Sequence, residues 1–240
     1  MAAASTTASS ANREERIRQI LSRAFDRGVY SAAVPVHLVR HAVAADTLTS
    51  LRDRTTPSSR FRRLAHRISM IVAMEATRSL PVTIGDVETP LEVTAADRLR
   101  PNVVVVPVLR AGLGMVDAVL ELVPSARVGH IGLERDERTA IARAYFSKLP
   151  RNLTGATALV VDPMLATGGS AVAALNLLTE AGVAEIRLLC IVAAPEGIAA
   201  VESAHPRAEI YTPVVDRELN ASKFILPGLG DFGDRLYDTV

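Results

Sequence analysis

The chain has 240 residues, of which 49% are hydrophobic and 22% are charged, and its formal net charge is +1. This length allows one sizeable α/β domain, and the balanced charge gives no global attraction to nucleic acid or to an anionic membrane. The single cysteine, Cys190, excludes an intrachain disulfide, the five scattered histidines lack the pairing of a zinc site, and no apolar stretch approaches the roughly 20 residues of a membrane span.

The first segment predicts an appendage to the folded body. Residues 1–11, MAAASTTASSA, have too little apolar surface to fold, so we expect a disordered N-terminal tail. They make a poor signal peptide because they have neither a basic start nor an apolar middle. Residues 12–33 predict a helical extension, with Asn12 as its N-cap and Gly28 at its end. We expect this helix to dock on the body or on a partner subunit.

An arginine-rich segment follows, RDRTTPSSRFRRLAHR, which holds six arginines. Such a cluster could form a nucleic-acid-binding face. An apolar stripe that includes Phe61, Leu64 and Ile68 instead predicts a helix with one buried face and the arginines on the other. Aromatic residues that could stack on bases are absent from the arginine face. We therefore interpret it as a solvated face or a subunit interface, and expect no nucleic-acid partner.

From residue 101 onward, strand and helix patterns alternate. The predicted strands are NVVVVPVL, RVGHIGLE, ATALVVD, EIRLLCIVAA and EIYTPVVD, and the predicted helices are GMVDAVLELV, SAVAALNLLTEAG and PEGIAAVESAHP. This order predicts an α/β fold with a mainly parallel twisted sheet flanked by helices. Cys190 lies inside one apolar strand, so we interpret it as a core residue. In such sheets ligands bind beyond the carboxyl ends of the strands.

The loop at residues 162–170 carries the most informative sequence. Asp162 ends a predicted strand, and Thr-Gly-Gly-Ser opens the next helix. Glycines let backbone N–H groups approach a ligand and a helix start favours an anion, so this end suits a phosphate, whereas Asp162 suits the hydroxyl groups of a ribose. Neither a Walker A loop nor a dinucleotide-binding G-x-G-x-x-G is present. The loop predicts a sugar-phosphate site, the alternative being a plain glycine turn.

The loop at residues 109–115, LRAGLGM, predicts a second anion site. Arg110 leaves a buried strand and is followed by Gly112 and Gly114 before a helix. An arginine beside the amide groups of a helix start binds a second phosphate group, although a purely structural arginine would give the same pattern.

A third loop, FILPGLGDFGDR at residues 224–235, is expected to be irregular. Its glycines expose main-chain N–H and C=O groups that can read a flat base. Asp231 and Asp234 are suited to orienting a ligand or a metal-bound water. A surface loop that merely tolerates glycine is the alternative.

Four segments, in this order and spacing, resemble the uracil phosphoribosyltransferase family, a branch of the type I phosphoribosyltransferases. They are PVLRAGLGM, VDPMLATGGS, VAAPEGIAA and PGLGDFGDR, with weaker support from LRDRTT and MEATRSL. The resemblance covers residues 34–240. It implies a phosphoribosyltransferase domain over that range, with a small hood formed by N- and C-terminal segments.

The resemblance also implies roles for individual residues. Phosphoribosyl pyrophosphate (PRPP) would lie on the loop 162–170, with its 5′-phosphate on Thr-Gly-Gly-Ser, its ribose toward Asp162 and its pyrophosphate on two arginines. The implied PRPP-binding residues are Arg110, Arg135, Asp162, Pro163, Met164, Leu165, Ala166, Thr167, Gly168, Gly169, Ser170 and Asp231. Uracil would be recognised, mostly through the backbone, by Ile225, Gly230, Asp231 and Phe232. The expected catalytic residues are Arg110, Arg135, Asp162 and Asp231.

The implied reaction converts uracil and PRPP to UMP and pyrophosphate. Attack by uracil N1 at the anomeric carbon develops oxocarbenium character, and Mg²⁺, held mainly by PRPP, joins the arginines in stabilising the departing pyrophosphate. No side chain is an obvious general base. We expect a cytoplasmic homo-oligomer, a dimer or a tetramer, with no membrane partner. GTP is a candidate effector because some family members are activated by it.

Two segments depart from the family pattern. After Thr139, residues 140–150 read AIARAYFSKLP in place of a proline-rich stretch: Tyr145 is kept, but Ile141, Ala142 and Arg143 do not fit the family pattern. In the family this region forms a flexible arm over the site, so we expect closure, turnover or subunit contacts to differ. LNASKF replaces the usual Asn-Glu after Leu219, which affects the shape of the base pocket. Two alternatives stay open: a non-catalytic regulatory homologue that binds PRPP or UMP, and a phosphoribosyltransferase for another base.

Overall fold

The structure is a computed structural model that describes residues 35–100, 102–135 and 142–239, with the side chains of Arg135 and Ala142 outside the description. The predicted tail 1–11 and helical extension 12–33 therefore lie outside the described residues. The domain boundary at residue 34 stays a prediction.

The described chain alternates between short strands and helices. In chain order the strands are β1 (Val36–Leu38), β2 (Val82–Glu88), β3 (Val93–Leu99), β4 (Val103–Leu109), β5 (Arg127–Val128), β6 (His130–Arg135), β7 (Ala142–Lys148), β8 (Thr157–Val161), β9 (Met164–Leu165), β10 (Glu185–Leu189), β11 (Val192–Ala193), β12 (Glu209–Thr212), β13 (Glu218–Leu219) and β14 (Ile225–Leu226). The helices are α1 (Ala42–Arg52), α2 (Ser58–Thr77), α3 (Leu113–Leu122), α4 (Gly169–Glu180), α5 (Pro195–Ala204) and α6 (Phe232–Tyr237).

An eight-stranded sheet forms the centre, in the order β1-β12-β10-β8-β4-β6-β7, with β5 also beside β4. Its neighbouring strands are parallel, except that β7 runs antiparallel to β6. The mainly parallel α/β sheet predicted from the sequence is therefore confirmed. Parallel pairing brings the carboxyl ends of β4, β8 and β10 to one edge, where their loops gather.

Helices cover both faces of this sheet. On β4, Val103 and Val105 face the core built with α1, α2, α3 and α6, whereas Val104 and Val106 face the core built with α4 and α5. A strand buried on both faces needs an apolar residue at every position, which explains the uninterrupted β-branched run. Cys190 is buried in the second core, as expected, and burial followed by the nearby Asp162 carboxylate raises the pKa of its thiol well above the usual value.

The predicted hood is formed by α1, α2 and the C-terminal segment. The apolar stripe of α2 is buried as expected, and the ring of Phe61 lies edge-on to that of Phe232, with ring centroids 5.1 Å apart. This contact joins the start of the domain to the loop before α6. Among the described residues, no helix has both the length and the apolar character that a membrane span needs.

The sequence analysis was wrong about several shorter elements. It missed the hairpin β2–β3, whose apolar side chains Ile84, Leu91 and Val93 are exposed and so give no buried stripe. The apolar run EIRLLCIVAA is two strands, because β11 leaves the main sheet and pairs with β9. The C-terminal loop is not irregular throughout, since it contains β14, which pairs with β13, and the six-residue helix α6.

Candidate active site

The three glycine-containing loops meet at the carboxyl edge of the sheet. A Cβ added to Gly112 would lie 2.3 Å from the Val161 carbonyl oxygen, so the loop after β4 touches the end of β8. A Cβ on Gly114 would lie 2.7 Å from Leu236 Cδ2, so the same loop touches α6. A side chain at Gly112 would collide with the backbone of Val161 and Val108, whereas one at Gly114 would require the Leu236 side chain to shift. The loop 109–115 therefore lies between the end of β8, which leads into the loop 162–170, and α6, which follows the C-terminal glycine loop.

The donor loop, residues 162–170, turns sharply at Gly168. This residue has φ +81°, and a Cβ there would lie 2.7 Å from Ala200 Cβ and 2.8 Å from the Gly197 carbonyl oxygen. Both the left-handed backbone and the close approach of α5 require glycine. The loop is thus pressed against the first turn of α5, which belongs to the VAAPEGIAA segment.

Helix α4 begins directly after this turn. Its N-cap is Gly168, which has no side chain that could cap the first amide groups. Gly169 and Ser170 are exposed, and the Thr167 hydroxyl is 3.5 Å from the Gly169 amide nitrogen. Exposed amide and hydroxyl donors at the positive end of a twelve-residue helix form a site for a phosphate group.

Asp162 follows β8 and is held at the back of the loop. Its amide donates to the Leu189 carbonyl oxygen at 3.1 Å, and its Oδ1 accepts from the Met164 amide at 3.4 Å. Burial raises the pKa of Asp162 to about 7, an effect that the bond from Met164 partly offsets. Asp162 has no cationic partner among the described residues, and such a partly buried carboxylate is suited to accept hydrogen bonds from ligand hydroxyl groups.

Arg110 projects from the end of β4 toward solvent. Its side chain is 60% exposed, and its Nη2 is 3.4 Å from Asp234 Oδ1 in the first turn of α6. The Tyr237 hydroxyl donates to the Arg110 carbonyl oxygen at 3.3 Å, and the guanidinium carbon lies 6.0 Å from the centre of the Tyr237 ring. The peptide between Leu109 and Arg110 is cis. The amide groups of Leu113 and Gly114 at the start of α3 already donate to the carbonyl oxygens of Arg110 and Ala111, so the exposed guanidinium is the group of this loop that is suited to an anion.

Arg135 ends β6, on the next parallel strand beyond β4. Its predicted contact with pyrophosphate concerns a side chain outside the described part of the structure, and Thr139 also lies outside the described residues. The atypical segment resumes as β7, paired with β6, where the Tyr145 side chain lies over Gly132, 2.5 Å from the position of an added Cβ. The effect of this segment on closure and turnover stays a prediction.

The base loop, residues 225–232, runs from β14 to the start of α6. Ile225 and Phe232 are buried, whereas Gly230 and Asp231 are exposed and offer their main-chain groups to a ligand. Gly230 has φ +81°, and Asp231 is the N-cap of α6, its Oδ1 accepting from the Asp234 amide at 2.9 Å. The predicted uracil residues thus lie together on one short stretch of backbone, which adjoins the loop of Arg110.

Sequence reasoning did not single out the side chains that hold the base loop. Arg52, Asp216 and Arg235 all make hydrogen bonds to it from the hood. LRDRTT, which contains Arg52, offered only a weak signal, and nothing in the sequence around Asp216 pointed to this contact. Within the ranges that the structure describes, no three His, Cys, Asp or Glu side chains are grouped to hold a metal ion.

Comparison with known proteins gives one consistent family. The profile described as uracil phosphoribosyltransferase matches residues 38–239, which include all three loops. The chain is 48% identical over 202 residues to the uracil phosphoribosyltransferase of Clostridium perfringens, covering 84% of this chain and 97% of that relative. It is 47% identical over 205 residues to the enzyme of Staphylococcus aureus, covering 85% of this chain and 98% of that one.

A solved structure extends the similarity to three dimensions. A protein from Aquifex aeolicus matches with a TM-score of 0.80 and 32% sequence identity, covering 84% of this chain and 97% of the other.

Proposed function

This chain belongs to the uracil phosphoribosyltransferase family, and we propose that it transfers a 5-phosphoribosyl group from PRPP to N1 of uracil, with each of its three loops holding a different part of the substrates. The products are UMP and pyrophosphate, so the enzyme serves pyrimidine salvage. The observation that carries the assignment of roles is the meeting of a phosphate-type helix start, an exposed arginine and a backbone-only base loop at one sheet edge.

In this proposal the donor loop holds the phosphoribosyl group. The Thr167 hydroxyl, the amide groups of Gly168, Gly169 and Ser170 and the dipole of α4 bind the 5′-phosphate, and Asp162 accepts hydrogen bonds from the ribose hydroxyl groups. Residues 163–166 shape the turn between these ends. The geometry supports this division because the two chemistries lie at opposite ends of one loop.

The leaving pyrophosphate is assigned to Arg110 and Arg135. Displacement at the anomeric carbon leaves negative charge on pyrophosphate, and a preorganised guanidinium stabilises that charge more in the transition state than in the ground state. Asp234 and Tyr237 hold Arg110 at the mouth of the site. Attack is by uracil N1, which the loops align with the anomeric carbon.

We further propose that Mg²⁺ accompanies PRPP. The residues at the site fit an ion carried mainly by substrate oxygens, because Asp162 and Asp231 are available as neighbours while a dedicated protein cage is not required for Mg²⁺. When bound, the ion would neutralise charge on the pyrophosphate oxygens.

Uracil is assigned to the main chain of residues 225–232, with Asp231 between the base and the ribosyl donor. Ile225 and Phe232 contribute backbone only, since their side chains are in the core. A recognition edge made of main-chain groups has a fixed pattern of donors and acceptors, which suits a single base.

A cavity of about 700 Å³ supports the proposal that GTP is an effector. It is lined by Arg54 and Arg62, by Ser58 and Ser59 at the start of α2, and by Arg235, which also bonds the base loop. Two arginines beside the start of a twenty-residue helix suit a polyphosphate. Binding there would reach the base loop through Arg235.

We also propose a cytoplasmic homo-oligomer, either a dimer or a tetramer. The hairpin β2–β3 supports self-association because Ile84 is 81% exposed and Val93 64% exposed on it in the single chain. A change of Ile84 to lysine tests this, since weaker association in sedimentation velocity is expected and an unchanged mass distribution would contradict it.

The decisive experiment is a pyrophosphate-release assay with uracil, cytosine, hypoxanthine and no base. Release with uracil alone supports the proposal, release with another base contradicts it, and PRPP binding without release with any base indicates a regulatory homologue. Arg110→Ala is expected to lower kcat about 100-fold, whereas the control Arg63→Ala, on the exposed face of α2, keeps wild-type rates.

A further inference from the structure

An ion pair that has no role in the proposed function makes hydrogen bonds to the main chain of the base loop. Arg52, the last residue of α1, meets Asp216, which follows β12, in a two-pronged contact: Nη2 to Oδ1 at 2.7 Å and Nη1 to Oδ2 at 2.8 Å. The two side chains are 23% and 5% exposed. A guanidinium and a carboxylate joined by two parallel hydrogen bonds have one fixed relative orientation.

Both partners of this pair also bind the main chain of Gly228. Arg52 Nη1 donates to the Gly228 carbonyl oxygen at 2.7 Å, and the Gly228 amide donates to Asp216 Oδ2 at 2.9 Å. Gly228 has φ +57°, and an added Cβ would lie 2.2 Å from the Ile225 carbonyl oxygen. The ion pair therefore holds both polar backbone groups at the point where the loop folds back on Ile225.

A second arginine ties the next residue to the same end of α1. Arg235 Nη1 donates to the Leu229 carbonyl oxygen at 2.7 Å and also to the carbonyl oxygen of Leu51, while its Nη2 donates to that of Asp53 at 2.6 Å. Its guanidinium carbon lies 4.4 Å from the centre of the Phe61 ring. Two consecutive loop residues, Gly228 and Leu229, are thus anchored to three consecutive residues of the hood.

We propose that Arg52 and Asp216 are positioning residues that determine base specificity. The inference rests on the proposed function, in which main-chain groups between Ile225 and Phe232 read uracil. Backbone groups cannot change rotamer to follow a ligand, so their accuracy depends on how firmly the loop is held, within about 0.5 Å for a productive site. The ion pair supplies that support from outside the site, without touching the base.

A general contribution to folding is a weaker explanation of this pair. Apolar residues of similar volume stabilise a buried site at least as well as an ion pair does. The charged groups here are aimed at the two backbone groups of one loop residue. Positioning predicts an effect on uracil that is separate from any effect on PRPP.

The test compares steady-state kinetics of wild type with Arg52→Lys and Asp216→Asn. Arg52→Lys keeps the charge but loses the fork that bonds Asp216 and Gly228 together. We expect KM for uracil to rise about tenfold or more while KM for PRPP stays within about twofold. The ion pair bonds Gly228, whereas Asp231, the loop residue also assigned to PRPP, is held separately by its bond from the Asp234 amide. The ratio of kcat/KM for uracil to that for cytosine should fall in parallel. Arg63→Lys, an exposed arginine whose Nη1 bonds the Ser59 carbonyl oxygen at 3.1 Å, is the matched control and should change neither KM.

Gly230→Ala separates failure of this inference from failure of the proposed function, because it alters the loop itself at a position with φ +81°. An unchanged KM for uracil in Gly230→Ala would contradict the role given to the base loop. A raised KM in Gly230→Ala, together with an unchanged KM in Arg52→Lys, would overturn the positioning role alone. So would an equal rise of both KM values in Arg52→Lys. If Arg52→Lys fails to fold, Asp216→Asn carries the same test, since it removes the charge and one of the two acceptor oxygens, of which Oδ1 accepts from Arg52 and Oδ2 from both Arg52 and Gly228.

Discussion

The donor loop and the base loop lie at the same sheet edge but are built in different ways. The donor loop is local: within nine consecutive residues it contains the strand end, the turn and the helix start that make up its chemistry. The base loop has the opposite construction, since its backbone is held by Arg52, Asp216 and Arg235, of which Arg52 lies 176 residues from Gly228 in the chain.

This difference separates two ways of binding a ligand. A phosphate is recognised by amide groups that any helix start presents, so the donor loop needs only a glycine turn and the sheet behind it. A base is recognised by the direction of individual hydrogen bonds, so the loop that reads it needs an external support. We therefore expect substitutions at the donor loop to act on PRPP alone, and substitutions around the base loop to act on the choice of base.

The largest expected effect concerns the choice of base in the wild-type enzyme. Uracil presents an acceptor at O4 and a donor at N3, whereas cytosine reverses both, and a fixed backbone cannot exchange its donors for acceptors. We expect kcat/KM for cytosine to be about 10⁴-fold below that for uracil. 5-Fluorouracil keeps the whole edge and should be a substrate. Comparable kcat/KM values for cytosine and uracil would show that the main chain of residues 225–232 does not read the base.

Above pH 7, where the Asp162 carboxyl group is ionised, Asp162→Asn is expected to raise the dissociation constant of PRPP about 10- to 100-fold, because ribose hydroxyl groups lose an ionised acceptor. Uracil affinity should change far less, since Asp162 lies at the other end of the site. Isothermal titration calorimetry with each ligand measures both. Asp117→Asn, on the exposed side of α3, is the control. Unchanged PRPP affinity would refute the assignment of Asp162 to the ribose, and with it the claim that the donor loop acts on PRPP alone.

The same carboxyl group is expected to make stability depend on pH. Burial raises the pKa of Asp162 to about 7 in the folded protein, against an ordinary value of 3.8. Between these two values the folded state keeps a proton that the unfolded state releases, so the contribution of Asp162 to stability falls as pH rises from about 4 to about 7.

Thermal unfolding of Asp162→Asn and of wild type at several pH values measures this contribution. The variant should become progressively more stable relative to wild type as pH increases, by roughly 2–4 °C for each kcal/mol, and the two should converge toward pH 4. A difference in Tm that does not vary with pH would mean that Asp162 is not desolvated. Such a result would leave the affinity prediction as the sole support for its role.

The smallest expected effect is that of deleting residues 1–30. The family match begins at residue 38, and every residue assigned to the three loops lies beyond it. We expect kcat/KM for uracil and for PRPP to stay within about twofold of wild type, as is usual for removal of segments outside a domain core. A folded but inactive truncation would show that the N-terminal extension takes part in catalysis or regulation.

Much of the fold could be predicted because its main strands are apolar on both faces. The run from Val103 to Val106 has no polar position, so it could only be an inner strand, and the order of strands and helices then required parallel pairing. The donor loop followed from the same logic, since Asp162 and Gly168 mark a strand end and a helix start within a few residues. Its glycine turn is now explained by the close approach of Ala200, which the sequence did not indicate.

The elements that were missed lack such a local signal. The hairpin β2–β3 leaves its apolar side chains exposed, and the two-residue strands β9, β11, β13 and β14 are too short to show a period. The short helix α6 was not predicted because the glycines in and around it disfavour a helix. Strands β9 and β11 pair across the whole of α4 and β10, whereas the hairpins β2–β3 and β13–β14 pair neighbouring segments that lack a buried stripe or are too short to show one.

The sequence by itself determined the α/β class, the parallel sheet, the family and the chemistry of the donor loop, because period, glycine placement and helix starts act over a few residues. Only the tertiary structure decided how the base loop is held. The ion pair between Arg52 and Asp216 cannot be recognised from the sequence, because a single arginine or aspartate is usually a surface residue and the pair forms no periodic pattern. The pair acts on the base loop only after folding has brought the end of α1 against Gly228, and the packing of the whole hood sets the distance between them.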